Sequence, residues 1–354
     1  MKAERCITIR KLNFIRTYNT KKMKFAVVGV GHIGKRHVAV IDAEESAELV
    51  AICDIDEEKC KEQAELYNLK YYTDYEQMLE SEDFDMISIA TPHGLHAEMS
   101  ILAARHKKHI LVEKPMALTT EDSKLMVSIA KEENVKLFVI KQNRFNIPIK
   151  LTKDALDLKK LGKIYMVQCS VLWNRHKGYY ADSSWKGKKQ LEGGALHTQV
   201  SHFLDLLVWW FGDVVEAKTI TDMLHHDIEF EDCGVSSLKF KSGVIGSLNW
   251  TTAVYNKNYE GSITIIGEKG TIKIGGKYLN KIEYWDVQSY PLPDDIDFTD
   301  KPNLYGKYQG SSSNHDKVVH ELILSLSEKQ KGIVEGLEGI KTIEAIETIY
   351  NGGK

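Results

Sequence analysis

Residues 24–34 read KFAVVGVGHIG, an apolar run of strand length that ends in the pattern GxGxxG. Such a run, bounded by glycine, is typical of a buried parallel strand. Gly29 allows a tight turn, Gly31 lets a pyrophosphate approach the backbone, and Gly34 lets the following helix pack closely on the strand. We therefore predict that this stretch forms the first strand, turn and helix of a dinucleotide-binding Rossmann fold.

An acidic residue at the end of the next predicted strand supports this fold. Residues 49–54 (LVAICD) read as that strand, and Asp54 follows Gly34 by twenty positions. A carboxylate there accepts hydrogen bonds from the adenosine ribose and repels a 2′-phosphate, which favours NAD over NADP. Asp56 is the competing acid, although it is better suited to cap the following helix. At the turn and the later strand ends we expect further cofactor contacts from His32, Ile33, Thr91, Pro92, His93, His96, Glu113 and Lys114.

The sequence pattern changes after about residue 143. Up to that point strands alternate with helices, which indicates a parallel, doubly wound α/β sheet. From 215 to 284 the pattern is strand, turn, strand, which indicates an open-faced, mostly antiparallel sheet of an α+β domain with helices on one face. We therefore predict an NAD-binding Rossmann domain at 23–143 and a substrate-binding and oligomerisation domain at 144–354. Residues 288–312 read as a long loop.

The first 22 residues differ in composition from the rest of the chain. They carry seven basic residues against one acid, Glu4, and Met23 stands directly before the first strand. We interpret residues 1–22 as an extension that is disordered or lies upstream of the natural start. A mitochondrial-type targeting peptide is the alternative.

Whole-chain composition argues against several classes of protein. The formal net charge of −3 does not suggest a nucleic-acid binder, and no apolar run approaches the length of a membrane helix. The five cysteines form no CxxC pair, which is consistent with free thiols in a reducing cytoplasm. We expect a cytoplasmic protein without nucleic-acid or membrane partners.

Two segments carry residues suited to proton transfer. Lys114 closes the predicted strand 109–113, and His202 lies four residues after Thr198 on the predicted helix 195–211. The alternatives are a structural ion pair between Lys114 and Glu113, and a core histidine. His93 and His96 are three residues apart, but no cysteine or carboxylate cluster accompanies them, so we expect no metal.

These segments together resemble a known family. GVGHIG (29–34), ATPHGLHAE (90–98), EKP (113–115) and GGALHTQVSHFLDL (193–206) occur in this order in the Gfo/Idh/MocA oxidoreductases. The resemblance extends from Met23 to the C-terminus. It implies a Rossmann domain followed by an open-faced sheet that packs in homo-oligomers, dimers or tetramers. It also implies that Lys114 and His202 are catalytic or orient the substrate.

A closer resemblance is to the UDP-N-acetyl-2-amino-2-deoxy-D-glucuronate dehydrogenases (WlbA/WbpB type) of bacterial surface-polysaccharide synthesis. It implies NAD-dependent oxidation at C3 of a UDP-linked sugar acid, and the keto product is aminated later. Many sugar-alcohol members of the wider family carry Asp four residues before the histidine, where this chain has Thr198, so an Asp–His–Lys relay is in doubt. The segments that carry this resemblance are KQNRFN (141–146), WNR (173–175), YY (179–180), WKG (185–187), QVSH (199–202) and GSITIIGEKG (261–270).

The chemistry of alcohol oxidation suggests a role for each candidate. NAD takes the hydride, we expect His202 to take the proton, and Lys114 would hold the hydroxyl, although the two roles could be reversed. Arg144, Arg175 and Lys186 are candidates to bind the substrate's anionic groups. The remaining candidate substrate contacts are Asn143, Tyr179, Thr198 and Gln199.

Three other functions are compatible with this scaffold. The first is another sugar or inositol dehydrogenase of the family, which Thr198 argues against. The second is a non-catalytic NAD- and sugar-binding regulator, which would lack Lys114 or His202. The third is an NAD-dependent glycosidase, in which hydride transfer would be transient and NADH would not accumulate.

Overall fold

A computed structural model describes residues 22–276, 278–293, 302–305, 308–312, 314–328 and 333–352. The predicted extension at residues 1–22 lies outside this part of the chain, apart from Lys22, and so do residues 294–301 and 306–307 of the predicted loop 288–312. Within that loop region the structure has two short paired strands, β14 (Pro302–Tyr305) and β15 (Tyr308–Ser312), in place of an unbroken loop.

The first sheet has six parallel strands in the order β3-β2-β1-β4-β5-β6, which confirms the predicted doubly wound sheet. The short helix α3, capped by Asp74, was not predicted because its seven residues are too few to show a helical period. Asp56 caps α2 by accepting from the backbone N–H of Lys59, as expected. The strands are β1 (Met23–Val28), β2 (Ala47–Cys53), β3 (Lys70–Tyr72), β4 (Met86–Ile89), β5 (His109–Val112) and β6 (Leu137–Val139). The helices are α1 (His32–Asp42), α2 (Glu57–Tyr67), α3 (Tyr75–Ser81), α4 (His96–Arg105) and α5 (Thr120–Glu132).

The second sheet has seven strands in the order β13-β12-β11-β7-β10-β9-β8. All neighbouring strands are antiparallel except β7 and β10, which are parallel. Strand β7 is central, with β8–β10 on one side and β11–β13 on the other. The strands are β7 (Ile164–Leu172), β8 (Val214–Asp222), β9 (Cys233–Phe240), β10 (Ile245–Thr251), β11 (Glu260–Gly267), β12 (Gly270–Gly275) and β13 (Lys281–Val287). The helices are α6 (Ile147–Asp157), α7 (Lys177–Ala181), α8 (Lys189–Glu192), α9 (Ser201–Phe211), α10 (His315–Glu328) and α11 (Gly336–Asn351).

One face of the second sheet is covered by helices and the other is open. Alternate strand residues such as Val167, Leu248 and Ile263 belong to one buried core with Leu204 and Leu207 of α9. Residues of the opposite parity stay exposed, among them Ile220, Val235 and Ile245. A sheet with one face packed and one free shows this alternation. Within the part of the chain described, no helix is long and apolar enough to cross a membrane.

The C-terminal helices return to the first sheet. Val318, Val319 and Leu322 of α10 share a buried core with Phe25 of β1 and Val38 of α1. Helix α11 contacts α5, α9, β6 and β8, so it touches both sheets. Helix α11 therefore joins the two sheets.

The pairing of β9 with β10 supplies a stability test. Gly234 faces the buried Trp250, and a Cβ added at Gly234 would lie 2.1 Å from the indole ring. We expect Gly234→Ala to lower the free energy of unfolding by about 1–3 kcal/mol, because the ring must move in a close-packed core. Denaturant unfolding measures this value. Ser237→Ala on the exposed face of β9 is the control, and equal losses in both variants would contradict the explanation.

Candidate active site

The glycine turn between β1 and α1 has the geometry that a dinucleotide requires. Gly29 has a φ of +84°, and a Cβ there would meet the Ala90 carbonyl at 2.7 Å. A Cβ on Gly34 would overlap the Gly29 carbonyl oxygen at 1.7 Å. A Cβ on Gly31 would meet nothing within 4 Å, so open space lies over the backbone at the start of α1. A pyrophosphate fits such a site, since the helix N-terminus provides free N–H groups and a favourable dipole.

Asp54 lies at the end of β2 beside this turn. Its carboxylate accepts the backbone N–H of Val30 (2.7 Å) and of Asp56 (3.0 Å), which fixes the side chain against the glycine loop. Asp56 instead uses its carboxylate on the first turn of α2. The geometry thus favours Asp54 over Asp56 as the ribose acceptor, and that contact stays a prediction.

The other predicted cofactor residues follow β4 and β5, and they differ in their surroundings. Thr91, Pro92 and His93 follow β4 directly, and the His93 ring meets Trp185 edge-on at 5.2 Å. His96 is fully buried, and its ring nitrogens lie 2.7 and 3.0 Å from the carbonyl oxygens of Pro115 and Thr91. Because both nitrogens are engaged by the backbone, His96 has none to offer a cofactor.

Lys114 joins the first sheet to the second half of the chain. Its Nζ donates to the carbonyl oxygen of Thr198 (2.9 Å), in a turn of π-helix at Leu196–Val200 that leads directly into α9 and His202. Turns of this kind occur often at functional sites. The Glu113 carboxylate is instead 2.9 Å from the His37 ring, so the structure does not have the simple Lys114–Glu113 ion pair.

Burial and neighbouring charges set the protonation of Lys114 and His202. Burial lowers the pKa of Lys114 to about 8 and the charges of Lys141 and Arg175 add to this, while Glu113 opposes it. Burial also lowers the pKa of His202 well below its ordinary value, and Lys114 adds to that shift. The ring nitrogens of His202 make no hydrogen bond to any other residue that the structure describes. The site therefore combines an ammonium that is easily deprotonated with a neutral imidazole.

A second group of predicted residues forms a network next to Thr198. Arg175 is buried and donates to Gln199, and Gln199 donates to the Tyr179 hydroxyl (3.1 Å). The Arg175 guanidinium lies 5.2 Å from the centre of the Tyr179 ring, and the Lys186 ammonium lies 3.8 Å from it. Burial lowers the pKa of His32 in the glycine turn, and the positive charge of Lys186 adds to this shift. Two cations thus lie against the Tyr179 ring, whose hydroxyl accepts from Gln199.

Arg144 has a different environment from the one we expected. It makes a bidentate ion pair with Asp205 (2.8 and 2.9 Å), a third contact with Glu338 (2.6 Å), and stacks on Trp209. Since these partners use the guanidinium, the structure gives no support to Arg144 as a substrate contact. Asn143 is buried nearby, and its side-chain oxygen has no partner among the described residues.

Several polar residues of the site were not predicted from the sequence. Lys141 is buried 3.3 Å from Asp205, and its position at the carboxyl end of β6 was a signal that could have identified it. Glu192 is buried, its carboxylate accepts the N–H of Gly187 (2.5 Å), and burial raises its pKa. Nothing in the local pattern before Gly193 marks Glu192 as part of the site.

Comparisons with known proteins agree with this arrangement. Residues 23–141 match the family model "Oxidoreductase family, NAD-binding Rossmann fold", and residues 149–273 match "GFO/IDH/MocA C-terminal domain". The WlbA dehydrogenases of Bordetella pertussis and Chromobacterium violaceum, both solved with NADH and UDP-GlcNAcA, are 36% identical to the chain, with TM-scores of 0.85 and 0.87. The matches cover 94% and 95% of this chain, and 96% and 94% of theirs.

A more distant relative also has a dehydrogenase activity. The myo-inositol 2-dehydrogenase of Thermotoga maritima is 28% identical over 71% of this chain and 74% of its own length. The two family models cover both sheets, and the glycine turn has the open space that a pyrophosphate needs. The chain belongs to the GFO/IDH/MocA family and is an NAD-dependent oxidoreductase.

Proposed function

We propose that this enzyme oxidises a secondary hydroxyl of a nucleotide sugar, namely C3 of UDP-N-acetyl-2-amino-2-deoxy-D-glucuronate. The observation that carries the proposal is the hydrogen bond from Lys114 Nζ to the turn that leads into His202, at the carboxyl edge of the NAD-binding sheet. A hydride passes from C3 to NAD and the hydroxyl proton passes to the enzyme, giving the 3-keto sugar and NADH. The resulting ketone is suited to a later amination in surface-polysaccharide synthesis.

The two candidate catalytic residues have complementary charge states near neutral pH. A lowered pKa keeps His202 uncharged, so its imidazole is available to accept the hydroxyl proton. The Lys114 ammonium, fixed at Thr198, stabilises the developing alkoxide. The glycine turn between β1 and α1 would hold NAD, which would supply the hydride acceptor. Lys114 is the alternative base, because its lowered pKa makes the neutral amine accessible.

The substrate's anionic groups have candidate partners around Tyr179. Arg175 and Lys186 both lie against its ring, and Gln199 binds its hydroxyl. Guanidinium and ammonium groups beside an aromatic ring suit a sugar diphosphate or a carboxylate. Thr198 and the unpartnered oxygen of Asn143 are candidates to accept hydrogen bonds from hydroxyls of the sugar. The similarity to two dehydrogenases crystallised with UDP-GlcNAcA supports the nucleotide-sugar class.

The open face of the second sheet supports a homo-oligomer. Ile220 pairs with Val235 across neighbouring strands, and both side chains are exposed, as is Ile245 on β10. A group of exposed apolar side chains on a sheet face is typical of a protein contact. We propose that a second copy of the chain covers this face.

A substrate screen tests the proposed reaction directly. UDP-sugar acids, neutral UDP-sugars, free hexoses and inositols are each incubated with the enzyme and NAD, and NADH is measured. We expect stoichiometric NADH with the UDP-sugar acid. NADH from inositol alone would favour another dehydrogenase of the family. Substrate turnover without net NADH would favour transient hydride transfer, and ligand binding without turnover would favour a regulator.

Removal of the two proton-handling groups tests their assignment. We expect Lys114→Ala and His202→Ala each to lower kcat by roughly 100- to 10,000-fold, the usual contribution of a positioned acid or base. NAD affinity, measured by calorimetry, should change little because the glycine turn and Asp54, where we expect most cofactor contacts, stay intact. His320→Ala, on the exposed part of α10, is the control. Near-normal turnover in both site variants would end the assignment.

The pH dependence of kcat/KM distinguishes the two possible bases. If Lys114 acts as an ammonium, activity declines as pH rises through its pKa of about 8, because the charged form is lost. His202 stays neutral over that range, since its pKa is well below its ordinary value. We therefore expect a plateau near neutral pH and a decline above about 8. A rise in activity through this region would instead identify Lys114 as the base.

Lys186 supplies the test of the anion site. We expect Lys186→Met to weaken binding of UDP about tenfold or more, because a hydrogen bond to a charged group contributes about 1.5–3 kcal/mol. Calorimetry with UDP measures the loss, and added salt should reduce the difference between wild type and variant. Lys188→Met changes an exposed lysine two residues away and is the control. Equal UDP affinity in all three proteins would place the diphosphate elsewhere.

A further inference from the structure

Three residues from distant parts of the chain form a buried cluster below Lys114. The His37 Nε2 atom on α1 lies 2.9 Å from Glu113 Oε1 at the end of β5. The Nε2 atom of His315, the first residue of α10, lies 3.1 Å from the same oxygen. All three side chains are buried. His315 lies beyond both segments that match the family models.

The contacts are those of a carboxylate with two imidazole N–H donors. His37 Nδ1 lies 2.7 Å from the Ser88 hydroxyl, which can donate to it and leave the proton on Nε2. Burial lowers the pKa of His315, which favours its neutral form, in which Nε2 donates to Glu113. Although burial opposes ionisation, the hydrogen bonds from His315 and His37 lower the pKa of Glu113 well below its ordinary value. One carboxylate oxygen is therefore held by two imidazole donors.

A metal ion explains these distances less well. Two nitrogens and one carboxylate oxygen are a donor set that zinc accepts, and the three atoms lie within 4.8 Å of one another. With metal–ligand bonds of about 2.0–2.1 Å, however, neighbouring ligand atoms of a tetrahedron lie about 3.3 Å apart. The observed separations of 2.9 and 3.1 Å are shorter and are ordinary for hydrogen bonds.

The second oxygen of Glu113 connects this cluster to the active site. Glu113 Oε2 accepts the backbone N–H of Lys114 (3.0 Å), and the carbonyl oxygen of the following residue, Pro115, lies 2.7 Å from the His96 ring. The backbone of Lys114 is thus fixed on both sides, while its Nζ is fixed by Thr198. Any movement of the Glu113 carboxylate would be passed to the Lys114 backbone through this hydrogen bond.

We propose that His315 is a positioning residue: by donating to Glu113, it fixes the backbone of Lys114 and keeps a negative charge beside the ammonium. This inference rests on the proposed role of Lys114. It assigns a function to α10, which packs on the first sheet. His37 contributes the second donor from within the Rossmann unit.

Loss of His315 has a predictable electrostatic sign. Glu113 raises the pKa of Lys114, whereas burial and the charges of Lys141 and Arg175 lower it. Without the His315 donor, Glu113 takes up a proton more readily, its average negative charge decreases, and the pKa of Lys114 falls further. The titratable and charged groups that face Lys114 from the surrounding elements are Glu113, Lys141, Arg175, Glu192, His93, His96 and His202.

A set of three variants tests the inference on the full-length protein. His315→Leu removes the donor, His315→Gln keeps an N–H donor at a similar distance, and His320→Leu changes an exposed histidine of the same helix. The pH midpoint for acylation of Lys114 is measured by competitive labelling and mass spectrometry without substrate. The same proteins are assayed for kcat, for NAD affinity and for bound metal.

We expect His315→Leu to lower the Lys114 midpoint by roughly 0.5–1 pH unit and kcat about tenfold, with NAD affinity unchanged. His315→Gln should restore most of both values, and His320→Leu should match wild type. An unchanged Lys114 midpoint in a folded His315→Leu protein would overturn the inference, and so would stoichiometric metal that is lost with His315. Because labelling needs no turnover, a failure of the proposed reaction remains distinguishable from a failure of this inference.

Discussion

The hydrogen bond between Lys114 Nζ and the Thr198 carbonyl is the contact on which the site depends. It joins the carboxyl edge of the parallel sheet to the π-turn that precedes His202. An ammonium at this depth needs an acceptor, because a buried charge without a partner is costly. The backbone carbonyl supplies an acceptor without a counter-charge, so the lysine keeps a lowered pKa and its ability to give up a proton.

Charged side chains alternate in sign through the region between the sheets. Although burial favours the neutral acid, Arg144 and Lys141 lower the pKa of Asp205, which lies three residues after His202. Removing one member of such a group leaves an uncompensated buried charge, which is why these contacts hold the two halves in one arrangement. Arg144 is held by these ion pairs, and the positive charges that lie against Tyr179 are those of Arg175 and Lys186.

Local patterns predicted much of the fold and part of the site. The strand, turn and helix at 23–42, the end of α9 at Gly212 and the antiparallel strands after 214 follow from periodicity and glycine placement. The helix at 75–81 was too short to show a period, and the parallel pairing of β7 with β10 depends on strand order, which no local pattern encodes. Arg144 and His96 have suitable chemistry, but tertiary partners already use their polar atoms.

The sequence by itself determined the glycine turn, the acid after β2, the lysine after β5 and the histidine on α9, since each depends on residues adjacent along the chain. Only the tertiary structure decided which polar groups meet. Glu113 and His315 are separated by 202 positions, and Lys114 and Thr198 by 84. Contacts of that kind arise from the packing of α10 against the first sheet, of α9 against the second, and of α11 against both. Hydrophobic burial drives that packing. Because the hydrophobic effect is non-directional, a local sequence pattern does not specify which elements pack together.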